Sequence, residues 1–134
     1  LLRLYAYLYQ KQDKNYAIVH ALDGYDEISL TKSAKVVTHK EDRLLSAKDF
    51  GLKPHTPETI FGGNTVEEAA KIFMGVLNNN GTDEQVNTVC ANAALAISIS
   101  KDIELSEAFE QAKIALTSGA ALQKFKTLIQ LSQN

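Results

Sequence analysis

The sequence predicts an α/β domain in which short strands precede about four amphipathic helices. Two runs rich in apolar residues, at positions 16–19 and 34–38, are typical of short buried strands. From residue 62 onward apolar side chains recur at helical spacing, and Thr65 and Thr82 stand where capping residues begin helices. A chain of 134 residues is long enough for one hydrophobic core and too short to argue for two domains.

The first part of the chain combines one helix with two strands. Residues 1–10 are apolar or aromatic at most positions, which predicts the end of a buried helix. The continuous apolar run Tyr16–Val19 is typical of parallel strands that are covered on both faces. Asp23-Gly24 predicts a turn, because glycine adopts positive φ at little cost. Residues 34–38 predict the second strand, and residues 53–61, which hold both prolines, predict a surface connection.

Helices account for the remainder of the chain. We expect them over residues 66–77, after Thr82, over residues 105–118 and over residues 122–131. Two short strands cannot build a sheet that four amphipathic helices could cover. We therefore expect further strands to come from preceding sequence or from another copy of the chain.

Composition narrows the class of protein. The formal charge of -2 gives no general attraction to nucleic acid or to an anionic membrane. No apolar run approaches the roughly 18 residues that span a bilayer, so we expect neither a nucleic-acid nor a membrane partner. The single cysteine, Cys90, cannot form an internal disulfide, which favours a reducing cytoplasm.

Asp26 and Glu27 are the candidate metal ligands. They follow the first strand and its turn, and Mg²⁺ is usually bound by one or two carboxylates together with water and substrate phosphates. A solvated turn explains the same two acids, because adjacent Asp and Glu are common at protein surfaces. Asp23 could supply a third ligand, although a turn-forming aspartate beside Gly24 is the stronger interpretation.

The other reactive side chains favour structural roles. His20, at the end of the first strand, is typical of a hydrogen-bonded residue at the rim of a core. His39 and His55 show no ligand spacing that would predict a zinc site. Gly62-Gly63 lacks the known phosphate-loop patterns and suits entry into a capped helix. Cys90 lies among apolar helical positions, where a thiol acts as a small hydrophobic group.

One segment resembles a known family. The run Ile18–Ser29 closely resembles a signature in the C-terminal half of anthranilate phosphoribosyltransferases. Further similar segments follow in family order at Asp49–Leu52, Gly62-Gly63 with Glu67–Ala70, Asn92–Ala94 and Ser118–Ala121. Together they cover nearly the whole chain, and the segment around Asp26 and Glu27 is the most specific of them.

This resemblance implies a fold and a function. Residues 1–134 would be the C-terminal portion of a phosphoribosyltransferase catalytic domain, of the α/β type shared with nucleoside phosphorylases. The full-length enzyme would join anthranilate to phosphoribosyl pyrophosphate in tryptophan biosynthesis, releasing pyrophosphate. Asp26 and Glu27 would help to bind the Mg²⁺ that accompanies the pyrophosphate-bearing substrate. Family members usually form dimers, so the resemblance also implies a homodimer.

The departures from the family pattern limit these expectations. These residues contain neither the family's GTGGD loop nor its KHGN segment. They also lack the arginine that places anthranilate and the helical dimerisation domain. Ala21 stands at a position where family members frequently have glycine. The chain also begins at Leu1, and its one methionine is Met74. We therefore expect a fragment that is inactive alone and carries no catalytic or substrate-binding residue. A non-catalytic interaction module of this fold and a fragment of a pyrimidine-nucleoside phosphorylase are the alternatives.

Overall fold

The computed structural model describes residues 2–12 and 14–133, which form a small sheet and a group of helices. The strands are β1 (Ala17–Ala21), β2 (Ala34–Thr38) and β3 (Asp42–Leu45). The helices are α1 (Leu2–Tyr9), α2 (Val66–Leu77), α3 (Asp83–Lys101), α4 (Leu105–Thr117) and α5 (Ala120–Ser132). Short 3₁₀ helices at Ala47–Phe50 and Pro57–Ile60 connect β3 to α2. The predicted α/β class is confirmed.

The sheet has the order β1-β2-β3, and both pairs of neighbours are antiparallel. Ala17 pairs with Thr38, and Ala34 pairs with Leu45. The expectation of a parallel pairing for the first strand is therefore wrong within this sheet. Parallel neighbours need a crossover connection, usually a helix, whereas residues 22–33 turn the chain back without one.

Strand β3 is the element that the sequence did not predict. Its residues Asp42, Arg43 and Leu44 are exposed and only Leu45 is buried, so no apolar alternation marks it as a strand. It gives β2 a second neighbour and completes a three-stranded sheet. The expectation that the chain supplies only two strands is corrected accordingly.

The hydrophobic core lies between the sheet and the paired helices α3 and α4. Its largest fully buried side chains belong to strands, to α3 and to the connection after β1; they are Ile28, Leu30, Leu45, Val36 and Cys90. Phe50, which follows β3, packs against Phe109 of α4 with ring centroids 5.5 Å apart. The irregular connection between β1 and β2 is thus part of the core.

Helix α1 departs from its predicted environment. The sequence predicts the end of a buried helix, but α1 has no buried residue. Leu4, Tyr7 and Leu8 are each at least half exposed. The helix contacts the sheet on one side, where the ring centroids of Tyr9 and Tyr16 are 5.5 Å apart. Among the described residues, no helix is long and apolar enough to cross a membrane.

The predicted helix starts are confirmed. At α3 the Thr82 hydroxyl accepts the Gln85 N–H (3.3 Å), and the Gln85 side chain accepts the Thr82 N–H (3.1 Å). At α2 the Thr65 hydroxyl accepts the Glu68 N–H (3.1 Å). The Glu68 carboxylate accepts a hydrogen bond from the N–H of Asn64, the residue before Thr65 (2.6 Å). These bonds satisfy amides that a helix start would otherwise leave unpaired.

Gly63 is required by this entry into α2. Its φ is +93°, and a Cβ built there would lie 2.7 Å from the Glu68 Cβ. We expect Gly63→Ala to lower the free energy of unfolding by more than about 2 kcal/mol, since both backbone strain and a steric clash oppose it. Gly62 has no atom within 4 Å of its Cβ position. Gly62→Ala is therefore the matched control, with an expected change below about 1 kcal/mol. Equal losses in urea denaturation would contradict this account.

Candidate functional site

The candidate site is the connection between β1 and β2, residues 22–33, which we call the β1–β2 loop. It opens with the predicted turn. Gly24 has φ +95°, its N–H donates to the Ala21 carbonyl (3.2 Å), and the Ala21 N–H donates to the Tyr25 carbonyl (3.2 Å). The turn directs the chain outward before Asp26 and Glu27, so both acids lie at the surface.

Asp23 closes the base of the loop. Its carboxylate accepts hydrogen bonds from the hydroxyl of Ser29 (3.2 Å) and from that of Thr31. The Ser29 hydroxyl also accepts the Thr31 N–H (3.2 Å), and Ser29 is only 3% exposed. These contacts give Asp23 a structural role, since they join the start of the loop to its end.

Asn92 of α3 bonds the loop on its other side. Its side-chain amide donates to the Ile28 carbonyl (2.8 Å), and its side-chain oxygen accepts the Ile28 N–H (2.9 Å). The Ile28 and Leu30 side chains are each 1% exposed and lie in the core. The sequence singles out Asn92 as part of a family landmark without assigning it a contact. Asn92 is an amide side chain between Ala91 and Ala94, which are both buried. This pattern is the signal that could have indicated a hydrogen-bonding role for Asn92.

Leu30 holds an unusual backbone conformation where the loop returns to the sheet. Its φ is +63°, in the left-handed region that side chains other than glycine rarely adopt. Such a conformation costs about 1–3 kcal/mol and persists only where the surrounding contacts impose it. Here the buried side chain and a bond from the His55 N–H to the Leu30 carbonyl (3.0 Å) hold the conformation.

The Asp26 and Glu27 carboxylates are free to act as ligands. Neither forms a hydrogen bond or an ion pair with another described residue, and both are exposed. Glu27 borders a surface cleft of ≈ 400 Å³, together with Tyr25, Thr88 and Asn92. Adjacent oxygen donors that face water suit Mg²⁺, which retains several waters and shares substrate phosphates. Within residues 2–12 and 14–133, no group of three or more His, Cys, Asp or Glu forms a complete protein-only cage.

The remaining candidates are dispersed. His20 is exposed on β1 opposite Lys35, so its predicted place at the core's rim is wrong. His39 packs edge-on against the Tyr16 ring, with centroids 6.3 Å apart. Cys90 is 1% exposed, and burial raises the pKa of its thiol, so the thiol stays protonated. Its predicted structural role is confirmed.

Fold and site together define an α/β domain that presents two free carboxylates on a braced loop. The sequence model described as "Glycosyl transferase family, a/b domain" matches residues 1–122, and the chain belongs to this family.

Curated relatives of this chain include several anthranilate phosphoribosyltransferases. The anthranilate phosphoribosyltransferase of Christiangramia forsetii is 48% identical over 134 residues, which is all of this chain and 40% of that protein. The chain thus spans about 40% of the length of the curated relatives it matches. The resemblance noted in the sequence is confirmed.

Two solved structures show the same fold. Anthranilate phosphoribosyltransferase from Thermus thermophilus matches with a TM-score of 0.77 at 24% identity, over 90% of this chain and 36% of that one. The Saccharomyces cerevisiae enzyme "in complex with PRPP and Mg" matches with a TM-score of 0.69 at 22% identity, over 84% and 32%.

The three acids of the loop should differ in their effect on stability. Asp23→Ala leaves the buried Ser29 hydroxyl without its carboxylate partner. We expect it to lower the free energy of unfolding by about 1–3 kcal/mol. Asp26→Ala and Glu27→Ala remove exposed side chains without such bonds and should change it by less than about 0.5 kcal/mol. Urea denaturation of the three single variants checks this order, and an Asp26→Ala loss as large as that of Asp23→Ala would refute it.

Proposed function

We propose that residues 1–134 are the C-terminal portion of the catalytic α/β domain of an anthranilate phosphoribosyltransferase, in which Asp26 and Glu27 bind Mg²⁺. The observation that carries the proposal is the pair of unpartnered carboxylates at the tip of a loop braced from both sides. Similarity of the whole chain to curated enzymes of that name supports it. The names of these relatives do not favour the interaction module or the nucleoside phosphorylase.

The proposed reaction joins anthranilate to phosphoribosyl pyrophosphate. The anthranilate nitrogen forms a bond to the anomeric carbon of the ribose, the bond from that carbon to the pyrophosphate oxygen breaks, and the amine releases a proton. The products are N-(5-phosphoribosyl)anthranilate and pyrophosphate. Attack by the substrate's own amine requires no protein nucleophile, in keeping with the buried, protonated Cys90.

Asp26 and Glu27 would act by binding and orienting. Bound Mg²⁺ supplies positive charge that stabilises pyrophosphate as it leaves. The two carboxylates would hold it at the loop tip, and their exposure leaves room for the waters and phosphate oxygens of its remaining coordination. Residues that bind the ribose phosphate and anthranilate would come from the rest of the enzyme.

The wider assignments follow from the same proposal. The complete enzyme would act in tryptophan biosynthesis, as a homodimer in the cytoplasm, and the 134 residues alone would be inactive.

Combined replacement of the two acids tests the proposal. In the complete enzyme we expect Asp26→Asn with Glu27→Gln to lower magnesium-dependent turnover at least about a hundredfold, because charge stabilisation of the leaving group is lost. The assay follows formation of phosphoribosylanthranilate from anthranilate over a range of Mg²⁺ concentrations.

A second adjacent pair of acids provides the control. Asp83 and Glu84 lie in the first turn of α3, so Asp83→Asn with Glu84→Gln makes the same chemical change away from the loop. The turnover of this control variant should match that of the unaltered enzyme. Its free energy of unfolding should fall by about 1 kcal/mol, because two acids are lost at the helix start. Near-normal magnesium-dependent turnover in the Asp26/Glu27 variant would remove the metal assignment, and turnover of nucleosides rather than anthranilate would remove the enzyme assignment.

A further inference from the structure

The positions of the Asp26 and Glu27 carboxylates depend on the backbone around them. No described residue bonds to either side chain, so neither acid is oriented by a direct partner. Their placement is therefore set by the contacts that fix the β1–β2 loop before and after them. On the preceding side, these contacts are the turn at Gly24 and the hydrogen bonds to Asp23.

On the following side the contact comes from another element. Asn92 lies 64 residues beyond Ile28 in the sequence and bonds both its N–H and its carbonyl. Within the described part of the chain, it is the one side chain from outside the loop that hydrogen-bonds to the loop. Ile28 is the residue directly after Glu27, so this contact fixes the peptide chain next to the second carboxylate.

Asn92 is itself rigidly held. The second hydrogen of its amide nitrogen donates to the Thr88 carbonyl one helical turn earlier (2.9 Å). Its one oxygen and both N–H groups are therefore used, and only a primary amide of this length supplies that set. The flanking residues Ala91, Ala94 and Leu95 are buried, so α3 is anchored in the core at this point.

We infer that Asn92 is a positioning residue for magnesium binding, which holds the Asp26–Glu27 pair in its binding geometry through the backbone of Ile28. This inference rests on the proposed function. A pair of ligands held in place before the metal arrives avoids the entropy cost of ordering the loop on binding. Loss of the amide would thus weaken magnesium binding while leaving both carboxylates present.

The test compares Asn92→Leu with Asn15→Leu in the complete enzyme. Leucine has the same number of side-chain heavy atoms and the same branching as asparagine, and it can form none of the three bonds. Asn15 is the control, because its amide also joins α3 to a distant part of the chain, donating to the Ile99 carbonyl (3.2 Å), but it is exposed and lies outside the β1–β2 loop. Two quantities are measured: the Mg²⁺ concentration at half-maximal turnover, and amide hydrogen exchange of residues 22–33 without metal.

We expect Asn92→Leu to raise the half-saturating Mg²⁺ concentration about tenfold, because the released loop would then have to be ordered when the metal binds. Turnover at saturating Mg²⁺ should stay unchanged, and exchange in residues 22–33 should accelerate while α4 keeps its protection. Asn15→Leu should alter neither quantity. If Asn92→Leu does not fold, Asn92→Asp keeps the side-chain size but lacks the donors, and the same acceleration of loop exchange is expected.

Two outcomes would overturn the inference. One is an unchanged Mg²⁺ requirement and unchanged loop exchange in Asn92→Leu; the other is an equal change in Asn15→Leu. The proposed function can fail separately, since magnesium-dependent turnover in the Asp26/Glu27 double variant would reject the metal site and the inference with it. If that double variant loses turnover while Asn92→Leu binds Mg²⁺ normally, the inference alone is rejected.

Discussion

Burial of Ile28 and Leu30 in the core is the constraint on which the rest of this structure depends. Both side chains belong to an irregular loop, yet each is 1% exposed. Irregular backbone brought into a core lacks the hydrogen bonds of a helix or sheet, and each unpaired polar group there is costly. The Asn92 amide satisfies Ile28, and the His55 N–H satisfies the Leu30 carbonyl. The backbone of Leu30 also adopts a left-handed conformation, which places its side chain in the core.

The way the loop is held in the core also divides its acids into one with a structural role and two whose carboxylates are free to bind a ligand. Asp23 lies at the base of the loop, where its carboxylate accepts hydrogen bonds from the Ser29 and Thr31 hydroxyls. Asp26 and Glu27 lie at the tip, where water can reach them. A loop with a rigid base and an open tip combines two properties that a magnesium site needs: ligands in fixed positions and space for water and phosphate oxygens.

Local signals in the sequence predicted the helices well and the sheet poorly. Thr65 and Thr82 mark helix starts, because a capping hydroxyl and the amide it accepts lie within one turn of each other. Strand β3 escaped prediction because its exposed Arg43 and Asp42 break the apolar pattern. The pairing of β1 was mistaken for parallel, since an apolar run records burial and not the direction of its neighbour.

The sequence by itself determined the helix caps, the turn at Gly24 and the two acids that stand as candidate ligands, because each depends on residues close together along the chain. It also determined the family, because the segments that resemble it follow in order along nearly the whole chain. Tertiary structure alone decided what holds those acids. Residues 64 positions apart meet when Asn92 bonds Ile28, and the burial of Leu30 fixes a backbone conformation that leucine does not favour. Such contacts depend on how α3 packs against the loop, and no local pattern of residues encodes that packing.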